Sequence, residues 1–312
     1  MPGLHSAVML LFIEQILNGL QLGIMLFLMS AGLTLIFGIM RIINLAHGSF
    51  YMIGAYVAAT VASYTGSFLL GLLAALPAAA LSGMLVELIV FRKLYNRDHL
   101  DQVLATFGLI LFFNELTRII WGRQPLFMDV PSWLSHTVEL IPGIPYPSYR
   151  LAIIFVGIMV ALLLYLLFTR TRLGMQIRAG AENREMIAAL GVNIKLLNTL
   201  VFGLGTLLAG LAGIMAGPIL AVEAGMGESI LILTFVVIVI GGIGSIKGAM
   251  IAAILVGLVD TLGGFLLPSL LRLFLPAATA DGAGMSLASM SVYILMAVIL
   301  IWKPRGLFPV QG

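Results

Sequence analysis

The sequence predicts an all-α polytopic membrane protein, a bundle of about nine transmembrane helices with the N-terminus outside and the C-terminus in the cytoplasm. Three observations lead there. Of the 312 residues 61% are hydrophobic and only 9% are charged, against roughly 25% charged in a soluble domain. Apolar runs near the 20 residues that cross a bilayer recur along the whole chain. The basic residues, finally, gather on alternate connections, which orients membrane proteins.

The runs follow one another closely. The first extends from about Met9 to Ile36, with Glu14, Asn18 and Gln21 near its start, and Arg41 interrupts it. A second, Ile42 to Tyr64, contains Asn44, His47 and Gly48, and a tight Gly66-Ser67 connection leads to the third, Phe68 to Phe91. RKLYNRDHLDQ separates this from the fourth, Val103 to Trp121, and residues 122–150 form the longest extramembrane stretch. The fifth run, Leu151 to Phe168, ends at a sharply polar segment, 170–195, and the sixth is Leu196 to Val222. EAGMGES then turns the chain into two close runs, Ile230 to Ile246 and Gly248 to Leu267, separated by little more than Lys247. A loop, Pro268 to Gly284, leads to the last run, Met285 to Trp302. The first two runs and the pair around Lys247 can be counted differently, so eight to ten spans fit. All belong to a single transmembrane domain, 1–312.

Charge fixes the direction. With the N-terminus outside, Arg41, Arg92, Lys93, Arg97, Arg170, Arg172, Arg178, Arg184, Lys195, Lys247, Lys303 and Arg305 fall inside, and only Arg123, Arg150 and Arg272 outside. The acids Asp129, Glu139, Glu223, Glu228 and Asp281 collect on the outer side. The pI near 9.3 therefore reflects membrane topology and does not point to nucleic acid. The start of the chain has no basic segment and no A-x-A site, so no removable signal is expected. With no cysteine, disulfides and thiolate chemistry are excluded.

Several patterns have two readings. Gly71, Ala75, Ala79 and Gly83 form one small-residue ridge and Gly205, Ala209, Gly213 and Gly217 another, suited to close helix packing or to a sliding surface. Asn44 and His47, three apart, would share a helical face, beside a solute, at a broken helix or in an interhelical hydrogen bond. Asp260 is an acid deep in a late run, a structural partner or an ion-binding group, and Glu115 with Arg118 reads as a local ion pair. Leu33, Thr34, Ile43 and Gly48 recur 200 residues later as Leu233, Thr234, Ile243 and Gly248, a faint internal echo with a helix break in each copy. GGIGSIKGA, with Gly241, Gly242 and Gly244, is a helix break; its lysine is followed by glycine and its flanks are membrane runs, so it is no nucleotide loop. No HExxH or G-x-S-x-G occurs, so no hydrolase or metal site suggests itself.

The polar segment holds five of the 16 basic residues. Within it Glu182 and Glu185 follow Gly180, at the positive end of an expected helix of about ten residues. Met186, Ile187, Ala188, Ala189 and Leu190 come next, and Gly191 is a natural stop. Such a helix at the cytoplasmic face needs cover for its apolar side, from lipid headgroups, from the bundle itself or from a partner's groove.

Three blocks, GLTLIFGIMRIINLAHGSFYMIGAY, IRAGAENREMIAALGVN with GLAGIMAGPI, and GGIGSIKGAMIAAILVG, resemble the permease subunits of ATP-binding-cassette importers for branched-chain amino acids, over nearly the whole chain. Amide, urea and some sugar permeases are close relatives of that group. The resemblance implies a subunit that translocates branched-chain or related hydrophobic amino acids without catalysing a covalent step. It implies no cofactor bound by this chain, ATP being used by partner subunits. The implied partners are two ATPase subunits, a second homologous permease or a second copy, and a soluble binding protein outside. It makes Glu182, Glu185, Ala188, Ala189, Leu190 and Gly191 the ATPase-coupling helix, although ENREMIAALG departs from the E-A-A-x-x-x-G pattern. Asn44, His47, Gly48, Gly241, Gly242 and Gly244 are candidates for the path or its helix breaks. The implied location is a bacterial or archaeal cytoplasmic membrane. An ion-coupled carrier using Asp260 or Glu14 is the competing class.

Overall fold

The computed structural model describes residues 2–309, and they form twelve helices and one hairpin. Helix α1 (Pro2–Met40) is followed by α2 (His47–Thr65), and α3 (Phe68–Val86) runs through a π-helical turn, Glu87–Phe91, into α4 (Arg92–Leu94). After α5 (His99–Trp121) come strands β1 (Thr137–Ile141) and β2 (Ile144–Pro147), then α6 (Ser148–Arg170). Two short helices, α7 (Arg172–Glu182) and α8 (Arg184–Ala189), precede α9 (Ile194–Ala216), α10 (Met226–Gly241), α11 (Ile246–Leu271) and α12 (Ala277–Trp302). Among the described residues seven of these helices are long and apolar enough to cross a membrane, and α10 is a shorter apolar one. The β1–β2 hairpin lies at one end of the bundle and α7–α8 at the other.

α1 and α9 are the axis of the bundle: their spans are 83% buried within the chain, against 17% for α5. Glycine makes the crossings close. Gly32 of α1 meets the backbone of Gly205, the midpoint of α9. Gly54 meets Gly210, Gly71 meets Ala58, Gly83 meets Thr206, and Gly213 lies flat on the Tyr51 carbonyl. The two small-residue ridges are thus packing surfaces, where lipid supplies no hydrophobic drive and van der Waals contact must. Phe50, Phe91 and Phe202 fill the spaces between them, with ring centroids 4.8–6.0 Å apart.

Several boundaries depart from the sequence reading. The second helix begins at His47, not Ile42, because residues 41–46 are non-helical and Arg41 has a left-handed φ of 55°. Asn44 therefore lies in the break and does not share a helical face with His47. α9 stops at Ala216, short of Val222, since Pro218 cannot continue the ladder; the chain returns as an irregular segment whose Val222 bridges to Leu126. The expected loop 268–284 is mostly helix. Pro268 is accommodated inside α11, and Gly284 lies against its ring, which holds the first turns of α12. The faint internal echo coincides with two like features: α1 ends at Met40 and α10 at Gly241, each followed by a short break and a new helix at His47 and Ile246.

Replacing Gly213 with valine forces a side chain into the Tyr51 backbone. We expect a loss of about 1–3 kcal/mol, the usual cost of overpacking, read as a lower melting temperature of the detergent-solubilised protein. Gly264→Ala, where a Cβ meets nothing within 4 Å, should melt with the wild type.

Candidate functional site

Two regions concentrate chemistry. The first is the polar segment between α6 and α9. Thr171 caps α7 by accepting from the Gly174 amide at 3.1 Å, Asn183 caps α8 by accepting from the Met186 amide at 2.9 Å, and Asn193 caps α9 through the Leu196 amide at 3.1 Å. Three side-chain caps in 23 residues satisfy the free amides of three successive helix starts, which is why the segment bends sharply and stays ordered. The single helix expected after Gly180 is in fact two. Asn183 is extended, so Glu182 closes α7 and only Glu185 stands in the first turn of α8. Gly191, with φ of 87°, ends α8; its amide reaches the Ala188 carbonyl, and the Val192 amide reaches that of Ile187. Ile187 is buried, whereas Ala188 and Ala189 are exposed, and Met186 and Leu190 are 62% and 78% exposed. One apolar side chain anchors α8 to the bundle and the others face outward.

Beneath α8 sits a network that the charge pattern concealed. Glu87, in the π-turn of α3, has no exposed surface. It accepts from the Tyr95 hydroxyl and from the Thr199 hydroxyl of α9, the latter at 2.6 Å, and Arg92 stands 3.4 Å away. Arg184 of α8 stacks on the Tyr95 ring at 5.9 Å, a cation–π contact. Burial first, then the bond to Glu87, pushes the Tyr95 hydroxyl pKa above its ordinary value, so it stays a donor. The chain Arg184–Tyr95–Glu87–Thr199 thus links α8 to α3 and α9. The sequence signal was there: Glu87 is an acid inside an apolar run.

The second region is the interior meeting of helix ends. Gly32 abuts both the midpoint of α9 and His47, so α2 begins about halfway along α9. Here Gly48 and Gly227 press backbone to backbone, putting the first turns of α2 and α10 in direct contact. Asn44 and His47 are fully buried, and among the described residues their side-chain polar atoms, with the Thr34 hydroxyl, have no hydrogen-bond partner. Gly241 packs on Gly248, and Gly242 and Gly244 have φ of 102° and 87°, so these three build the α10–α11 turn, not a wall of the α2–α10 junction. Among the candidates only Gly48 stands at that junction. It is joined by Glu228 and Asn114, neither of them a candidate from the sequence: Glu228, expected in an outer loop, lies in the first turn of α10 and accepts from the Asn114 amide of α5. Asp260 is a half-buried residue of α11, outside both regions.

A family model described as the permease component of branched-chain amino acid transport systems matches residues 15–302. The chain belongs to that family. The permease is 28% identical over 310 residues to the high-affinity branched-chain amino acid transport system permease protein BraD of Pseudomonas aeruginosa, covering 95% of each chain. It is 30% identical to LivH of Escherichia coli over 274 residues, 81% of this chain and 86% of that one. A ribose import permease, RbsC of Escherichia coli, is 26% identical over 80% of the permease and 77% of its own length. No solved structure matches. The protein is a transport subunit of the ATP-binding-cassette type, a multi-pass protein of the cytoplasmic membrane.

Tyr95→Phe strips one donor from a fully buried carboxylate. Its cost should be about 1–3 kcal/mol, the penalty of an unmet buried polar group, and thermal melting of the purified permease measures it.

Proposed function

We propose that this permease forms half of the translocation path of an ATP-driven importer of branched-chain or related hydrophobic amino acids. Two ATPase subunits, a second homologous permease or a second copy, and a soluble binding protein complete the assembly. The chain binds no cofactor, and ATP is spent by its partners. The N-terminus is outside and the C-terminus cytoplasmic, a reading supported by the twelve-to-three distribution of basic residues between the two sides. It makes the β1–β2 end the docking side for the binding protein.

The observation that carries the coupling assignment is α8. Its apolar Met186 and Leu190 stand out from the segment richest in charge, although apolar side chains there gain nothing from water. A groove on an ATPase would bury them. Arg184 then passes the motion inward: when the ATPase subunits close, α8 moves with them, and Tyr95 and Glu87 carry the displacement to α3 and α9. Asn44, His47 and the Gly241–Gly244 turn serve this motion as joints between rigid helices.

A second reading, a sugar importer, is favoured by the likeness to RbsC alone. An ion-coupled carrier would instead rest on Asp260 or Glu14, and transport would follow an ion gradient without ATP.

Reconstitution in proteoliposomes with the ATPases, partner permease and binding protein should give leucine uptake that requires ATP. Accumulation by this chain alone would reject the assignment. Gly191→Pro removes the left-handed stop of α8, and deletion of 181–191 removes the helix. Either should leave ATP hydrolysis running while uptake falls at least tenfold, and unchanged uptake would show that α8 is not the coupling element.

A further inference from the structure

The junction of α2 and α10 holds a group that neither packing nor coupling uses. Glu228 is exposed on the surface of the isolated chain, although it lies level with Gly48, where α2 starts. Its partner Asn114 is seven residues from the end of α5 at Trp121, about 10 Å inside that end at 1.5 Å per residue. A carboxylate at such depth is costly against hydrocarbon and, where it occurs, faces a water-filled path or a partner of opposite charge. Arg118 does not serve, because it pairs with Glu115 on its own helix. Among the described residues the side chain bonded to Glu228 is the neutral amide of Asn114, itself 9% exposed, which orients the carboxylate without neutralising it.

The cleft around this pair has a second character. Besides the Gly48–Gly227 contact and the Glu228–Asn114 pair, its walls are Leu45, Met52, Ile110, Leu231 and one hydroxyl, that of Ser49. One carboxylate, one amide already bonded to it and one hydroxyl among four apolar side chains are a poor match for a polyhydroxylated solute, which needs many donors and acceptors. It matches a molecule with a cationic amine and a compact apolar side chain.

We infer that Glu228, positioned by Asn114, is the point in the path that receives the α-ammonium group of the transported amino acid, with Leu45, Met52, Ile110 and Leu231 taking its aliphatic side chain. The site is narrow here, because α2 and α10 meet backbone to backbone at Gly48 and Gly227. This inference rests on the amino-acid importer reading.

The test is uptake by the reconstituted full importer, with radiolabelled leucine and, separately, ribose, alongside ATP hydrolysis stimulated by the binding protein. Glu228→Gln keeps the shape and the bond to Asn114 but removes the charge. It should cut leucine uptake at least tenfold, leaving stimulated ATP hydrolysis within twofold of wild type, and Glu228→Asp should recover part of the uptake. Asn114→Ala, a change to the positioning residue, should raise the leucine concentration for half-maximal uptake more than it lowers the maximal rate. Glu228→Gln importing leucine within twofold of wild type overturns the inference. So does loss of subunit assembly in both Glu228 variants, which makes the carboxylate an interface group. A wild-type importer that carries ribose and not leucine instead rejects the amino-acid reading itself.

Discussion

The fold turns on one contact, the backbone of Gly48 against that of Gly227. In a membrane every amide and carbonyl needs a partner, so chain that is not helical is tolerated only where protein or water covers it. Two helices that start inside the bundle therefore need a place where their first turns are shielded. Glycine at both positions lets each start cover the other. The breaks at 41–46 and 217–225 and the shortness of α10 accompany that arrangement.

A rigid frame stands around this junction. α1 and α9 cross at Gly32 and Gly205, and α2, α3 and α11 lean on them through further glycines. Such crossings transmit displacement because they hold little slack. The Glu87 network reaches the same frame from the opposite end, through Thr199 of α9 and the π-turn of α3, and Arg184 connects it to α8. A push on α8 thus has a continuous physical route toward the crossing, and the α2–α10 contact lies beside that crossing.

Much of this was legible in the sequence, and what was not has a physical cause. Composition and apolar runs gave the class, since hydrocarbon enforces them directly. The boundaries of α3, α5 and α6 were nearly right because polar residues bracket them. Gly191 was readable as a helix stop, for a left-handed position is hard for other residues to fill. Asn183 as the start of α8 was readable only in hindsight: a lone asparagine among charges has no distinct pattern until its cap is seen. Asn44 does lie at a helix break, but the helical face it was expected to share with His47 is absent, because apolar neighbours on both sides of a break look like one continuous helix. Glu228 was misplaced for the opposite reason. Glycines and acids next to an apolar run look like a loop, and only the structure, with its contacts to Gly48 and Asn114, shows the first turn of a helix there.

The central claim is that the cleft beside Gly48 and Gly227 opens to water and not to lipid. The chain has no cysteine, so a single one introduced at Ser229, exposed next to Glu228, reports this without background. In the assembled importer, the account predicts that a water-soluble maleimide labels Ser229→Cys and that leucine slows the labelling. A cysteine at Ile158, exposed on the apolar flank of α6, should remain unlabelled. Equal inertness at both positions, with and without ATP, would place Glu228 against lipid or a sealed interface and contradict the account.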